Sequence, residues 1–379
     1  MPSPRISRRH ALLSAAGLAA APLARSQAHR SAAGTRQGGA LVTQIVDTSA
    51  AQQDVSKDLL IGSRAAWQDI NARGGLRGRP VQHQTLETDG SPAGLRAALQ
   101  TVRENPACLA LTGTAGAAAA SQLSALLRQE PLDIAHAAPW LQNAGATADR
   151  HTFPIFAPRQ EQIAHALKSL SSMGVAEVGA IYASAQEQSL YREDVERTAS
   201  ALKLKLHSYG GADPRALGQR LTPGTPAILL YIGGTPELVQ FTQGLEKQLR
   251  QRYVVALADV NLQTLQQLGA ARQTPVIATQ PVPLVSASLP VVRAYRETLA
   301  RLFDEPPSPL SLAGFIAARY TFEVLRSVEG PLTRQSALAT FSRRAPLDLG
   351  GFRISFDAQG RGSGYVTQSM LTTDGRVVG

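Results

Sequence analysis

The sequence predicts an α/β protein of two similar units, each a parallel sheet covered by helices. Three observations carry this reading. Apolar runs of strand length alternate with segments of helical spacing across short turns, the pattern of parallel sheets covered on both faces. The rhythm restarts after a proline-containing stretch, Phe153-Pro154-Ile155 and then Pro158. At 379 residues, 44% hydrophobic and 17% charged, the chain is too long for one compact core and apolar enough to bury two.

In the first unit, residues 40–46 form an apolar strand that ends in Asp47, Thr48 and Ser49. Residues 55–72 have helical spacing, with Leu59, Gly62, Ala66 and Ile70 on one stripe. Asn71-Ala72-Arg73-Gly74-Gly75 stops that helix, because glycine accepts the left-handed cap conformation. A second strand (80–87), a second helix (92–104) and a third strand (107–112) follow. The third strand lacks alternation, so both its faces are expected to be buried. Gly113 leads into a small-residue loop, 114–120, opening a helix to Glu130, and residues 131–135 read as a fourth strand.

The second unit reads as helices over 161–173, 190–202 and 236–251, with strands at 178–182, 204–209, 227–232 and 253–257. The chain is expected to return toward the first unit near 276–285, through helices 290–303 and 311–328. Segments 352–356 and 365–371 alternate and predict a β-hairpin with a long loop.

Residues 1–28 carry Arg5, Arg8, Arg9 and Arg25, no acid, and an apolar run from Ala11 to Ala21. This predicts a signal peptide cleaved after Ala28, and a periplasmic location. Ser7-Arg8-Arg9-His10-Ala11-Leu12-Leu13 is similar to a twin-arginine export signal; an ordinary secretory signal with an incidental arginine pair is the alternative. Residues 29–39, small and glycine-rich, read as a flexible lead-in. No cysteine lies near the cleavage position to take a lipid. No run of 18 uncharged apolar residues is present, and a soluble chain is expected.

Composition removes several function classes. Cys108 is the one cysteine, which excludes an intrachain disulfide framework and CxxC chemistry. Beyond residue 28, about six more bases than acids remain, and they are scattered rather than striped. With aromatics at 5%, no nucleic-acid partner is expected. Carboxylates are not clustered at metal-ligand spacing, so neither metal nor cofactor is expected. His136 stands alone, without a GxSxG or HExxH partner set, and Gly360-Arg361-Gly362-Ser363-Gly364 lies between strands rather than inside a βαβ unit. No enzyme is predicted.

Ala65-Ala66-Trp67-Gln68-Asp69-Ile70-Asn71-Ala72-Arg73-Gly74-Gly75-Leu76-Arg77-Gly78-Arg79 resembles the first-helix signature of type I periplasmic solute-binding proteins. The likeness is closest to the branched-chain amino-acid receptor branch served by ABC transporters. Thr88-Asp89-Gly90-Ser91-Pro92 is similar to the turn that follows in that family, and Phe356-Asp357-Ala358-Gln359-Gly360 to its late hairpin. The resemblance implies two Rossmann-like lobes joined by a three-crossover hinge. One lobe would be residues 40–155 with 283–360, the other 156–282 with 361–379. Hinges are expected near 156–158, 280–283 and 360–364.

The family binds its ligand in the interlobe cleft, on loops at the C-terminal ends of strands. Carried over by position, the first lobe would supply Thr48, Ser49, Thr114, Gly116, Ala117, Ala137 and Trp140. The second would supply Tyr182, Ser184, Tyr191, Thr235 and Asp259. A serine that holds the ligand carboxylate in amino-acid receptors aligns with Ala117, and the acid that holds the ammonium falls at or beside Ala258, next to Asp259. Trp140 is either a flat wall for an aromatic ligand or a cover for the sheet rim. Thr114 is either a hydroxyl donor or an N-cap, and Asp259 either a ligand's counter-ion or a loop cap. The resemblance implies a monomer that captures a small polar or aromatic carboxylated solute and delivers it to ABC permease subunits. A ligand-sensing receptor of the same fold is the alternative.

Overall fold

The computed structural model describes residues 39–379 apart from 131, 144–148, 247, 373 and 375. The expected signal peptide, and the lead-in as far as Gly38, lie outside the described residues. The first sheet is built from β1 (Leu41–Asp47), α1 (Gln53–Ala72), β2 (Gln82–Thr88), α2 (Pro92–Glu104), β3 (Cys108–Thr112), α3 (Ala117–Gln129), β4 (Ala135–Ala137) and β5 (Thr152–Phe153). Its strands run parallel in the order β2-β1-β3-β4-β5. All seven residues of β1 are buried. Leu41 and Ile45 pack with α2 and α3, while Val42 and Val46 pack on the opposite face with α1, because successive side chains of a strand point to opposite faces.

The second sheet follows with α4 (Arg159–Ser172), β6 (Glu177–Tyr182), α5 (Ala185–Ala201), β7 (Lys205–Gly210), α6 (Pro214–Arg220), β8 (Ile228–Ile232), α7 (Thr235–Leu245), β9 (Tyr253–Ala256), α8 (Leu262–Gln267) and β10 (Val276–Gln280). The chain then returns to the first sheet with α9 (Pro290–Leu302), α10 (Pro309–Arg326), α11 (Arg334–Ser342) and the small pair β11 (Leu347–Asp348) and β12 (Arg353–Ile354). It ends on the second sheet with β13 (Thr367–Leu371) and β14 (Val377–Val378), giving the order β14-β13-β10-β9-β8-β6-β7. The last two strands are antiparallel additions to a parallel sheet. Three passes therefore connect two α/β lobes: between β5 and α4, between β10 and α9, and between β12 and β13.

The first lobe is locked by the crossing of α1 and α10. An added Cβ at Gly62 would lie 1.7 Å from the Ser311 carbonyl oxygen, and one at Gly314 would lie 2.0 Å from that of Leu59. The Ser63 hydroxyl donates to the Gly314 carbonyl at 3.1 Å. The stripe of Leu59, Gly62, Ala66 and Ile70 is this contact face. Helix α1 stops as expected, with Gly74 and Gly75 at φ 105° and 63°. The Asn71 side chain then clamps the following turn, donating to the Val81 carbonyl and accepting from its N–H, both at 2.8 Å.

Several expected elements are corrected. Segments 352–356 and 365–371 do not form one hairpin: β12 pairs with β11, and β13 pairs with β10 in the other sheet. Alternation marks a strand but does not choose its partner, and the long connection lets the second segment change sheets. The fourth strand lies at Ala135–Ala137 rather than 131–135. The helix expected over 236–251 ends at Leu245, and the one expected from 190 begins at Ala185, capped by Ser184. Segment 276–280 is still second-sheet strand β10, so the return begins only after it. Helices α6, α8 and α11 have no counterpart in the sequence reading, because short helices carry too few periods to register.

Candidate functional site

The loop at the C-terminal end of β1 faces loops at the ends of β6, β8 and β9 across a cleft of about 420 Å³. Ala51 and Gln52 line it from the first lobe. Arg159, Ser184, Glu187, Gly233, Gly234, Glu237 and Asp259 are prominent among the second-lobe residues.

Asp259, 1% exposed, is the centre of this wall. Its Oδ2 accepts from Arg159 Nε at 2.7 Å and also from Nη2 of the same guanidinium. Its Oδ1 accepts from the Trp140 indole N–H at 3.0 Å, a bond that crosses from the first lobe to the second. Arg159 is 7% exposed and reaches Glu187 Oε2 through Nη1 at 2.6 Å. Its guanidinium lies 5.2 Å from the centre of the Tyr191 ring. Burial works against the Arg159 cation, but the carboxylates of Asp259 and Glu187 overturn that and hold its pKa above the ordinary arginine value. The Tyr191 hydroxyl is pushed up to about 12, chiefly by burial.

The lobes meet in further polar contacts beside this cluster. Asn261 Nδ2 donates to Asp58 Oδ2 at 3.2 Å, and Gln263 Nε2 donates to the Pro307 carbonyl at 2.7 Å. Asp54 and Asp58 face this seam from α1, and burial raises the pKa of both. The Thr235 hydroxyl donates to the Asp259 carbonyl at 3.3 Å and accepts the Asn261 N–H at 3.0 Å, shaping the loop into α8.

The structure brings some of the anticipated residues together and scatters others. Asp259, Trp140, Tyr191, Thr235 and Ser184 lie in or against the cluster. Ser184 caps α5 by accepting the Glu187 N–H at 3.1 Å, which helps place Glu187. Thr114 is buried with its hydroxyl 2.8 Å from His136 Nε2. Ser124 donates to the Ala120 carbonyl at 2.9 Å, so its oxygen is free to accept the His136 Nδ1–H at 3.3 Å. That pattern assigns His136 a neutral ring with the proton on Nδ1. Burial agrees, lowering its pKa to about 4.

Ala117 donates its backbone N–H to Gln52 Oε1 at 3.1 Å. Gly116 has φ 98°, and a Cβ there would also meet Asp47 at 2.6 Å, so the position requires glycine. Ala137 and Tyr182 are packed into the hydrophobic cores of their lobes. Thr48 donates to the Thr88 carbonyl, and the Ser49 N–H turns back to Asp47 Oδ1. Among the described residues, no group of three or more His, Cys, Asp or Glu is placed to hold a metal ion.

Sequence reasoning missed Arg159, Glu187, Glu237 and Gln52. One signal for Arg159 was available: a cation in the first turn of a helix opposes the helix dipole, and Arg159 opens α4 directly after Pro158. Such a residue needs a compensating anion, and Asp259 supplies one from 100 positions along the chain.

A family model described as periplasmic binding protein matches residues 42–374. An extracellular ligand-binding receptor from Verminephrobacter eiseniae superposes with a TM-score of 0.81 at 20% identity, covering 90% of this chain and 100% of the other. A substrate-binding periplasmic protein from Ralstonia solanacearum gives 0.77 at 21% identity, over 89% and 99% of the two chains. A leucine-binding protein from Thermotoga maritima gives 0.76 at 14% identity, over 89% and 97%. At these identities the likeness is one of fold. No curated protein matches this chain.

Proposed function

This chain belongs to the periplasmic binding protein family, and we propose that it is the extracytoplasmic solute-binding component of an ABC uptake system. It captures a small solute between its lobes and presents the closed form to a permease. The observation that carries this reading is the cleft itself, walled by Gln52 from one lobe and by Arg159, Glu187, Glu237 and Asp259 from the other. A ligand that touches both walls favours closure by its differential affinity for the closed form. The three passes between the sheets are where the backbone change would be absorbed.

A carboxylated aromatic solute stacked on Trp140 would need an open ring face. Trp140 is 1% exposed, packs against Phe156 at 5.5 Å between ring centres, and holds Asp259 through its indole N–H. These contacts favour a role for Trp140 in joining the lobes, and a polar rather than stacked solute.

A thermal-shift screen of the full chain against amino acids, amides, amines, aromatic acids and urea-type solutes tests the capture reading. A ligand at a hundred times its dissociation constant stabilises the fold by about 2.7 kcal/mol, with the solute recovered unchanged. Conversion of the solute to a product, or no shift from any class, would sink it.

A further inference from the structure

We propose that the cleft takes an organic cation, a primary amine or an amidinium, with Glu237 as its direct partner. This rests on the solute-capture reading and names the class of solute. Three carboxylates, Glu187, Glu237 and Asp259, line the cleft against one guanidinium, that of Arg159. Arg159 is already engaged by two of them, at 2.7 Å to Asp259 and 2.6 Å to Glu187. Glu237 is left over. It stands in the first turn of α7, half-buried beside Gly233 and Gly234, and makes no hydrogen bond or ion pair among the described residues.

The first-lobe groups next to Gln52 and Asp259 offer a carboxylate little. Ala117 has no hydroxyl, and its backbone N–H is held by Gln52 at 3.1 Å. The Thr114 hydroxyl is turned onto His136 at 2.8 Å, and the Trp140 backbone N–H donates to the Thr114 carbonyl at 2.9 Å. An anion entering this space meets surplus negative charge with its nearest cation occupied. A cation instead neutralises Glu237 in a partly desolvated cleft, where an ion pair is stronger than on an open surface. The remaining polar lining, Gln52, Ser184 and Gln240, supplies neutral hydrogen-bonding groups around it.

Calorimetric titration of the full chain with benzylamine, putrescine and benzamidine, and separately with benzoate, succinate and leucine, decides the matter. The whole chain carries a formal charge of +10, so bulk attraction favours the anions and a preference for amines has to originate in the cleft. Saturable 1:1 binding of an amine or amidine is expected, weakened by added salt and weakened at least tenfold in Glu237→Gln. That variant keeps its unliganded melting temperature, because Glu237 makes no hydrogen bond or ion pair among the described residues. Preference for a carboxylate or for leucine, or an amine bound equally well by Glu237→Gln, overturns the cation assignment while leaving solute capture standing. Silence from all six probes also overturns it, and capture is then judged by the broader screen.

Discussion

His136 and Arg159 are both buried nitrogen bases, one on β4 of the first lobe and one opening α4 of the second. Burial acts on both in the same direction, against the charged form. His136 has hydroxyl neighbours at hydrogen-bond distance, Thr114 and Ser124, and stays neutral. Arg159 has carboxylates, Asp259 and Glu187, and stays charged. The partners, rather than the depth of burial, decide the ionisation state. The two walls of the cleft differ in charge as well: the first lobe presents the neutral side chain of Gln52, and the second presents Arg159, Glu187, Glu237 and Asp259.

Four experiments test that contrast. Removing the cation is expected to do most damage. Arg159→Met leaves Asp259 buried and unpaired, at a cost of about 3–5 kcal/mol in urea unfolding, and a loss under 1 kcal/mol would show that the pair is not desolvated.

The second concerns acid. His136 has a folded pKa of about 4 against an ordinary 6.5, so the unfolded chain binds the proton more readily. The stabilising contribution is complete above pH 6.5 and falls by about 3 kcal/mol as the pH drops through the window from 6.5 to 4. Asp54 and Asp58, whose pKa values are raised by burial, oppose this over part of the same range, since the folded form holds their protons more tightly. Comparing melts of the parent and His136→Gln across pH isolates the histidine, and parallel curves would contradict the neutral assignment.

A smaller effect is expected at the bond joining the two walls. Trp140→Phe keeps an aromatic ring, though a smaller one, and deletes the N–H donated to the Asp259 carboxylate, a loss of at least about 1.5–3 kcal/mol; unchanged stability would show that solvent replaces the bond. The smallest belongs to Ser124→Ala, which removes the acceptor of the His136 Nδ1–H for about 1 kcal/mol. A gain in stability there would reverse the tautomer.

Much of the fold could be read from local pattern. The stop of α1 at Gly74 and Gly75, the Ser91 cap and Pro92 start of α2, and the doubly buried strands β1 and β3 all follow from residues within a few positions of one another. The site was legible only in part. Asp259, Trp140 and Tyr191 stood out as an acid and two aromatics at loop or helix starts. Their partner Arg159 did not, because its role depends on residues 28 and 100 positions away. The tail misled for the same reason: alternation identified both segments, and pairing across separate sheets sent them apart.

Local sequence alone was enough for the α/β class, the restart after Pro158 and the glycine stop of α1, since period and turn chemistry act over one or two turns of chain. Tertiary structure alone decided that Trp140 joins the lobes, that Thr114 serves His136, and that Glu237 is the carboxylate left over. Each of those is a competition among polar groups for partners, settled only when segments distant in sequence are brought together.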